Sequence, residues 1–275
     1  MMNKDTIIIE PVGGLCNRMR MIVSAWHTAE GTGKRLFMLW RNDAGCNCSY
    51  SKLFNLPESL HSYIANSRSA KKLINQIPKL FRKSAFFTDD DLLHWKSEGK
   101  SFEMLSRPGS IYIRSCETLY SYEDQHFSPF DYSIFRTKQD ILSALPGIFT
   151  ETDRPGLIGI HIRRTDNTLS IQNSPLELFM KNMDREMDEN HNNCVFFIAS
   201  DDSEIKSLLL NRYGSEHIFT RTGIELSRAA QNGIRDAYID LLCLSKCSKI
   251  YGSYWSSFSE CAAEIGNIPL FICKQ

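Results

Sequence analysis

The side chains best equipped for chemistry in this chain stand where apolar runs stop. The run LIGIHI (157–162) opens onto Arg163-Arg164-Thr165-Asp166. Two adjacent guanidiniums suit a diphosphate, because each can meet phosphate oxygens with two parallel charged hydrogen bonds. Side chains alternate along an extended strand, so His161 and Arg163 belong to one side and Ile162 and Arg164 to the other, which gives the two arginines different tasks. A second run, SKIYGS (248–253), leads to Tyr254-Trp255-Ser256-Ser257. Ser256 and Ser257 fall where a helix begins. Their hydroxyls and the N–H groups there either hold phosphate oxygens or only cap the helix, and the sequence leaves both readings open.

Asp236 and Asp240 are four apart and share a helical face. A solvated face is the usual meaning of such a pair. If Asp240 instead turns inward, its two oxygens can accept from N1–H and N2–H of guanine, a donor pair that adenine lacks. On that reading Asp240→Asn weakens GDP binding far more than stability. Near the N-terminus, Gly13-Gly14 follows an apolar run and resembles a phosphate cradle, since glycine lets backbone approach an anion, with Asn17 in reach from the first helical turn. The loop is neither GxGxxG nor GxxxxGKS, which argues against NAD and P-loop nucleotide binding.

The elements that must carry these residues are readable from periodicity. TIIIE (6–10), then Leu15, Met19, Ile22, Val23 and Trp26 at helical spacing, then RLFMLW (35–40) make a β-α-β unit, the building block of parallel sheets. Residues 42–150 are less regular: helical pieces near 68–83 and 89–98, a strand IYIRS (111–115), and a loop rich in aromatics and acids over 120–132. The basic residues of 68–83 read as a solvated helix face. ETDRPG (151–156) reads as a linker between two domains, 1–150 and 151–275. Beyond it five strands alternate with helices, the pattern of a doubly wound α/β domain whose ligand lies outside the carboxyl ends of its strands.

Composition sets the remaining bounds. The 275 residues are 42% hydrophobic, with 32 basic and 32 acidic side chains. A zero balance without a long Lys/Arg block argues against a nucleic-acid partner, whose affinity depends on neutralising phosphates. Residues 1–150 carry a formal +4 and 151–275 a formal −4, a weak sign of two domains. No apolar stretch approaches the roughly 18 residues of a membrane span, and no export signal precedes the first strand, so a cytoplasmic protein is expected. Nine cysteines, mostly within apolar runs, read as reduced core residues. Cys46 and Cys48 lack a matching second half for a zinc site. Asp89-Asp90-Asp91 could mimic a metal-binding DxD, but after Thr88 and before LLHW it reads better as a helix start.

The series GGLCNRMRMIVSAWHTAEGTGKRLFMLW, HIRRTD, IASDDSE, DAYIDLLCLSK and GSYWSSFSECAAE resembles the GDP-fucose fucosyltransferases of the α-1,6 and nodulation-type branch, whose hallmark is an HxRR-type motif. The similarity covers 157–265 strongly and 6–40 fairly, and it is absent from 42–150. It implies a GT-B fold, with two Rossmann-like domains facing a cleft, the C-terminal one for GDP-fucose and the N-terminal one for the acceptor. It also implies inverting transfer of L-fucose to a hydroxyl of a glycan acceptor, in surface-polysaccharide or oligosaccharide assembly, without a metal ion or other cofactor. By resemblance Arg163 contacts the β-phosphate with Arg164 assisting, His161 and Asp240 hold the guanine, Ser256 binds phosphate, and Gly14 lies in the family's N-terminal glycine loop.

One departure follows the motif. The core α-1,6 enzymes carry a lysine directly after the Asp and a glutamate soon after, whereas Asn167 and TLSIQN (168–173) contain no acid or base. Either a carboxylate such as Asp43 or Glu103 is the base, or the leaving phosphate takes the proton. The linkage is not carried over. Two alternatives stand beside the fucosyltransferase reading: transfer from another GDP-sugar, and a GDP-sugar-binding protein without catalysis.

Overall fold

The computed structural model describes residues 5–56, the backbone of 62–64, residues 76 and 79, and residues 85–120, 132–149, 157–165 and 167–275. All but residues 76 and 79 of the basic helix expected over 68–83, most of the loop over 120–132, the linker at 151–156 and Asp166 lie outside the described residues. The chain forms two compact units, one of Met1–Lys138 with Arg228–Ile234 and the other of Gln139–Ser227 with Arg235–Gln275. The stretch before residue 150 groups with the second unit because Phe149 packs edge-on against Phe197 and Phe219, with centroids 5.0 Å and 5.9 Å away.

In the first unit, β1 (Thr6–Pro11), α1 (Leu15–Thr32) and β2 (Arg35–Leu39) realise the expected β-α-β unit. β3 (Ser62–Ile64), β4 (Phe86–Phe87), α2 (Asp89–Ser97), α3 (Ser101–Ser106) and β5 (Ile111–Ser115) also belong to this unit. The sheet order is β3-β2-β1-β5-β4, parallel throughout. Ile7 and Ile9 of β1 and Met19, Ile22 and Val23 of α1 are fully or almost fully buried, so the helical apolar spacing is the stripe that packs into this unit's core.

The second unit runs β6 (Leu157–Ile162), α4 (Thr168–Asn173), α5 (Leu176–Glu189), β7 (Val195–Ser200), α6 (Ser203–Tyr213), β8 (Ile218–Phe219), α7 (Gln231–Ser245, part of this unit from Arg235 on), β9 (Lys249–Ser253), α8 (Ser257–Gly266) and β10 (Leu270–Cys273). Every residue of β6 is buried, as expected for a central parallel strand covered on both faces. Ile158, Ile160, Ile162, Phe196 and Ile198 pack with Phe179 and Met183 of α5 and Leu209 of α6. Burying each such side chain stabilises the fold by roughly 1.5–3 kcal/mol before chain entropy is charged against it. The sheet order is β8-β7-β6-β9-β10, all parallel. The chain therefore winds outward from β6 in one direction and then restarts at β9 on the other side. The point of reversal lies between the carboxyl ends of β6 and β9, where an open α/β sheet leaves a crevice for a ligand.

Candidate functional site

The two strand ends at this reversal are joined through one hydroxyl. Ser253 Oγ, at the end of β9, accepts from the backbone N–H of Arg163 at 2.9 Å and donates to the carbonyl of His161 at 3.3 Å. On the other flank Asp201, just past β7, holds the turn after β6. Its Oδ1 accepts from the Arg164 N–H at 2.8 Å and its Oδ2 accepts from Thr165 Oγ1 at 2.7 Å. The same Oδ2 lies 3.5 Å from Arg163 Nε. Arg164 turns elsewhere: its guanidinium donates to the carbonyls of Arg163 (3.1 Å) and Ser174 (2.8 Å). The expected divergence of the two arginines is thus present, with Arg164 tied to backbone and Arg163 beside Asp201.

His161 is buried in the same layer. Its ring stacks on Phe258 at 4.8 Å, and Nδ1 shares a 2.7 Å hydrogen bond with Ser259 Oγ, both partners lying in the first turn of α8. Gly252, paired with His161 across the sheet, makes room for this contact, since a Cβ there would fall 2.5 Å from Ser259 Oγ. Burial, reinforced by the nearby Arg163 charge and opposed by Asp201, pushes the imidazole pKa down to about 3. The neutral ring thus offers Nε2 as its remaining polar edge.

This depressed pKa has a thermodynamic consequence. Between pH 6.5 and about 3 the unfolded chain holds a proton on residue 161 that the folded chain does not, so stability is fully present above pH 6.5 and declines as pH falls. The contribution from this one group is at most about 1.4 kcal/mol per pH unit. Thermal melts of wild type and His161→Gln between pH 7 and 4.5 should therefore converge as pH falls; parallel curves would contradict the buried neutral ring.

α8 begins where β9 ends. Ser256 occupies its N-cap position and is almost fully buried, yet its hydroxyl makes no capping hydrogen bond. Of the two readings left open by the sequence, capping is not what this side chain does. Ser257 is the first helical residue and is partly buried. The N–H groups of the first turn and the positive end of the helix dipole accordingly meet Ser256 at the sheet's reversal point.

Asp240, on α7, is almost fully buried, so the usual solvated-face meaning of its pairing with Asp236 does not hold for it. Arg221 Nη1 donates to Asp240 Oδ1 at 2.9 Å and Arg221 Nη2 to Asp236 Oδ1 at 2.6 Å. Lys206 Nζ donates to the Arg221 carbonyl at 3.3 Å. Desolvation raises the Asp240 pKa, opposed by the charges of Lys206 and Arg221. Lys206, Thr220, Arg221 and Thr222 line an adjoining cavity of about 260 Å³. Substitution of Asp240 therefore also acts on a buried ion pair, a stability cost that the sequence expectation omitted.

In the first unit, Gly13 has φ +79° and its carbonyl accepts from Arg18 Nε at 2.9 Å. A Cβ at Gly13 would lie 3.3 Å from both Asn17 Nδ2 and Cys116 Cβ, so the left-handed turn and the close approach both call for glycine. Gly14 is the N-cap of α1. The two base candidates are both engaged by arginines. Asp43 Oδ2 accepts from buried Arg18 at 2.7 Å, while Oδ1 accepts from the N–H groups of Gly45 (2.9 Å) and Cys46 (3.1 Å). Glu103, exposed on α3, pairs with Arg107 at 3.0 Å. Glu10, which the sequence reading passed over, is buried at the end of β1 between Arg41 (2.6 Å), Arg114 (3.3 Å) and the Tyr112 hydroxyl.

The acids at 89–91 start α2. Asp91 Oδ2 accepts from the Thr88 N–H at 2.8 Å, and Asp89 Oδ1 accepts from the Cys116 N–H at 2.8 Å. Among the described residues no group of three or more His, Cys, Asp or Glu side chains is gathered as a metal site would require, and no helix is long and apolar enough to cross a membrane.

No protein-family model matches the chain, and no curated protein does. Solved structures do. The α-1,6-fucosyltransferase NodZ soaked with GDP-fucose aligns over 96% of this chain and 93% of its own, with TM-score 0.63 and 16% identity; the same enzyme is described from Bradyrhizobium. FUT1 of Arabidopsis thaliana, as an R284K mutant in complex with GDP, aligns over 98% of this chain and 70% of its own (TM-score 0.63, 12% identity). POFUT1 in complex with GDP-fucose aligns over 98% of both chains (TM-score 0.59, 11% identity). This chain therefore has the GT-B fold that these fucosyltransferases share.

Proposed function

We propose that the protein is a fucosyltransferase that moves L-fucose from GDP-fucose to a hydroxyl of a glycan acceptor with inversion, using no metal ion. The observation that carries this reading is that Arg163, its backbone bonded to Ser253, and Ser256, whose hydroxyl does not cap α8, follow the adjacent strands β6 and β9 at the reversal point of the second unit's sheet. Two kinds of cationic or donor group meeting there suit a diphosphate. His161 and Asp240 supply guanine contacts, and Ser257 supplies a further phosphate contact. The structural neighbours bound to GDP or GDP-fucose support the choice of donor.

In this reading the acceptor oxygen forms a bond to the anomeric carbon as the bond from that carbon to the β-phosphate oxygen breaks. Negative charge accumulates on the departing GDP, and the Arg163 guanidinium neutralises it, the task a divalent cation performs in other transferases. Asp43 and Glu103 are held by arginines, which favours a departing diphosphate oxygen as the destination of the acceptor proton. The assignment to glycan or surface-polysaccharide assembly belongs to the same reading. A cytoplasmic location belongs to the same reading.

Isothermal titration with GDP, ADP, UDP and GDP-fucose tests it. GDP and GDP-fucose should bind and ADP and UDP should not; equal affinity for all, or none for GDP, would defeat the reading. GDP binding with no release of fucose to any acceptor or to water would favour the non-catalytic alternative.

A further inference from the structure

Trp255 is the most exposed large apolar side chain among the described residues, at 65% relative exposure. It is also held in an unfavourable backbone conformation, φ +54°, that bulky residues rarely adopt. Such strain persists only where surrounding contacts impose it, and those contacts are present. Asn167 Nδ2, from the N-cap of α4, donates to the Trp255 carbonyl at 2.8 Å. Ser170 Oγ donates to the Tyr254 carbonyl, and the Tyr254 N–H donates to Ser174 Oγ at 2.7 Å. The neighbouring Tyr254 ring, with Lys274 Nζ 4.1 Å from its centroid, lies 5.9 Å from the indole. The short helix that provides the clamp exposes Leu169 and Ile171 as well.

An exposed indole on a clamped backbone directly before Ser256 has no packing role that its exposure would serve. A pyranose ring is the ligand chemistry it fits: its C–H face lies flat on an aromatic surface while its hydroxyls stay hydrated or meet the indole N–H. We propose that Trp255 is a sugar-stacking residue that positions a pyranose for transfer. The inference rests on the fucosyltransferase reading, in which Ser256 holds the diphosphate and the sugar end of the donor projects from it. Because base contacts fall to His161 and Asp240 in that reading, Trp255 is assigned to sugar and not to guanine.

The ring stacked there is the donor fucose or the acceptor, and the test separates them. Trp255→Ala, Trp255→Leu and Trp255→Phe are compared with wild type by titration with GDP and with GDP-fucose. Initial rates with a panel of N-acetylglucosamine-, mannose- and galactose-based oligosaccharides follow. GDP affinity should be unchanged in all three variants. A roughly tenfold loss confined to GDP-fucose in the Ala and Leu variants, restored by Phe, assigns the donor sugar. A roughly tenfold rise in acceptor KM at unchanged GDP-fucose affinity, again restored by Phe, assigns the acceptor. Equal weakening of GDP and GDP-fucose, or no change in either arm, overturns the proposal while wild-type GDP binding keeps the parent reading intact. Wild type that fails to bind GDP defeats both.

Discussion

Arg163→Ala should lose at least about a hundredfold in kcat while melting within a few degrees of wild type, because a preorganised donor aimed at developing charge is worth that much and more. The turn that carries it is held independently of its guanidinium, by the Arg163 N–H on Ser253 Oγ and by the Asp201 bonds to the Arg164 N–H and the Thr165 hydroxyl. Arg163→Lys keeps the charge without the planar fork and should recover part of the rate. Arg164→Ala is the contrasting control. Its guanidinium satisfies two carbonyls, so its removal should appear mainly as lost stability, on the order of 1–3 kcal/mol for groups left unsatisfied. Steady-state rates with thermal melts on the same preparations check both. An Arg163→Ala enzyme with near-native kcat would remove this side chain from the chemistry.

Asp240→Asn should weaken GDP roughly tenfold to a hundredfold, as expected for one or two hydrogen bonds to a charged acceptor. The sharper readout is discrimination against IDP, which keeps guanine's N1–H but lacks the exocyclic amine. Wild type should prefer GDP, and the Asp240→Asn variant should bind the two about equally. Arg221 complicates the stability side. Truncating one member of a buried ion pair typically costs about 3–5 kcal/mol when the other charge is orphaned. Here Arg221 keeps Asp236 at 2.6 Å, so the expected loss is smaller, about 1–3 kcal/mol. Calorimetric titration with both nucleotides and urea unfolding separate the effects. Unchanged GDP/IDP selectivity with a large drop in stability would make Asp240 a structural residue only.

Much of this was legible in the sequence because it depends on local pattern. The β-α-β start at 6–39 and the alternation of strands and helices after 157 follow from periodicity, and the different neighbours of the Arg163 and Arg164 side chains follow from alternation along extended backbone. Ser256 shows where local pattern stops: its position at a helix start was plain, but whether its hydroxyl caps the helix depends on geometry. Contacts across long separations were invisible for the same reason. Arg221 meets Asp236 and Asp240 from 15 and 19 residues away, with no repeat to announce it. Ser259 reaches His161 across 98 residues, through space that only the absence of a side chain at Gly252 provides. Asp201 reads as one more acid before a helix, yet Asp202 is the N-cap of α6 and Asp201 holds the arginine turn. Six residues are too few for periodicity, so TLSIQN gave no sign of α4, the helix that clamps Trp255.

In the proposed mechanism the diphosphate of the donor sits on Arg163 and on the α8 N-terminus at Ser256. A crystal structure of the protein with GDP-fucose tests it most directly. The account predicts β-phosphate oxygens within hydrogen-bonding distance, about 2.7–3.2 Å, of the Arg163 guanidinium and the Ser256 hydroxyl. Nucleotide bound with its phosphates away from both groups would contradict it.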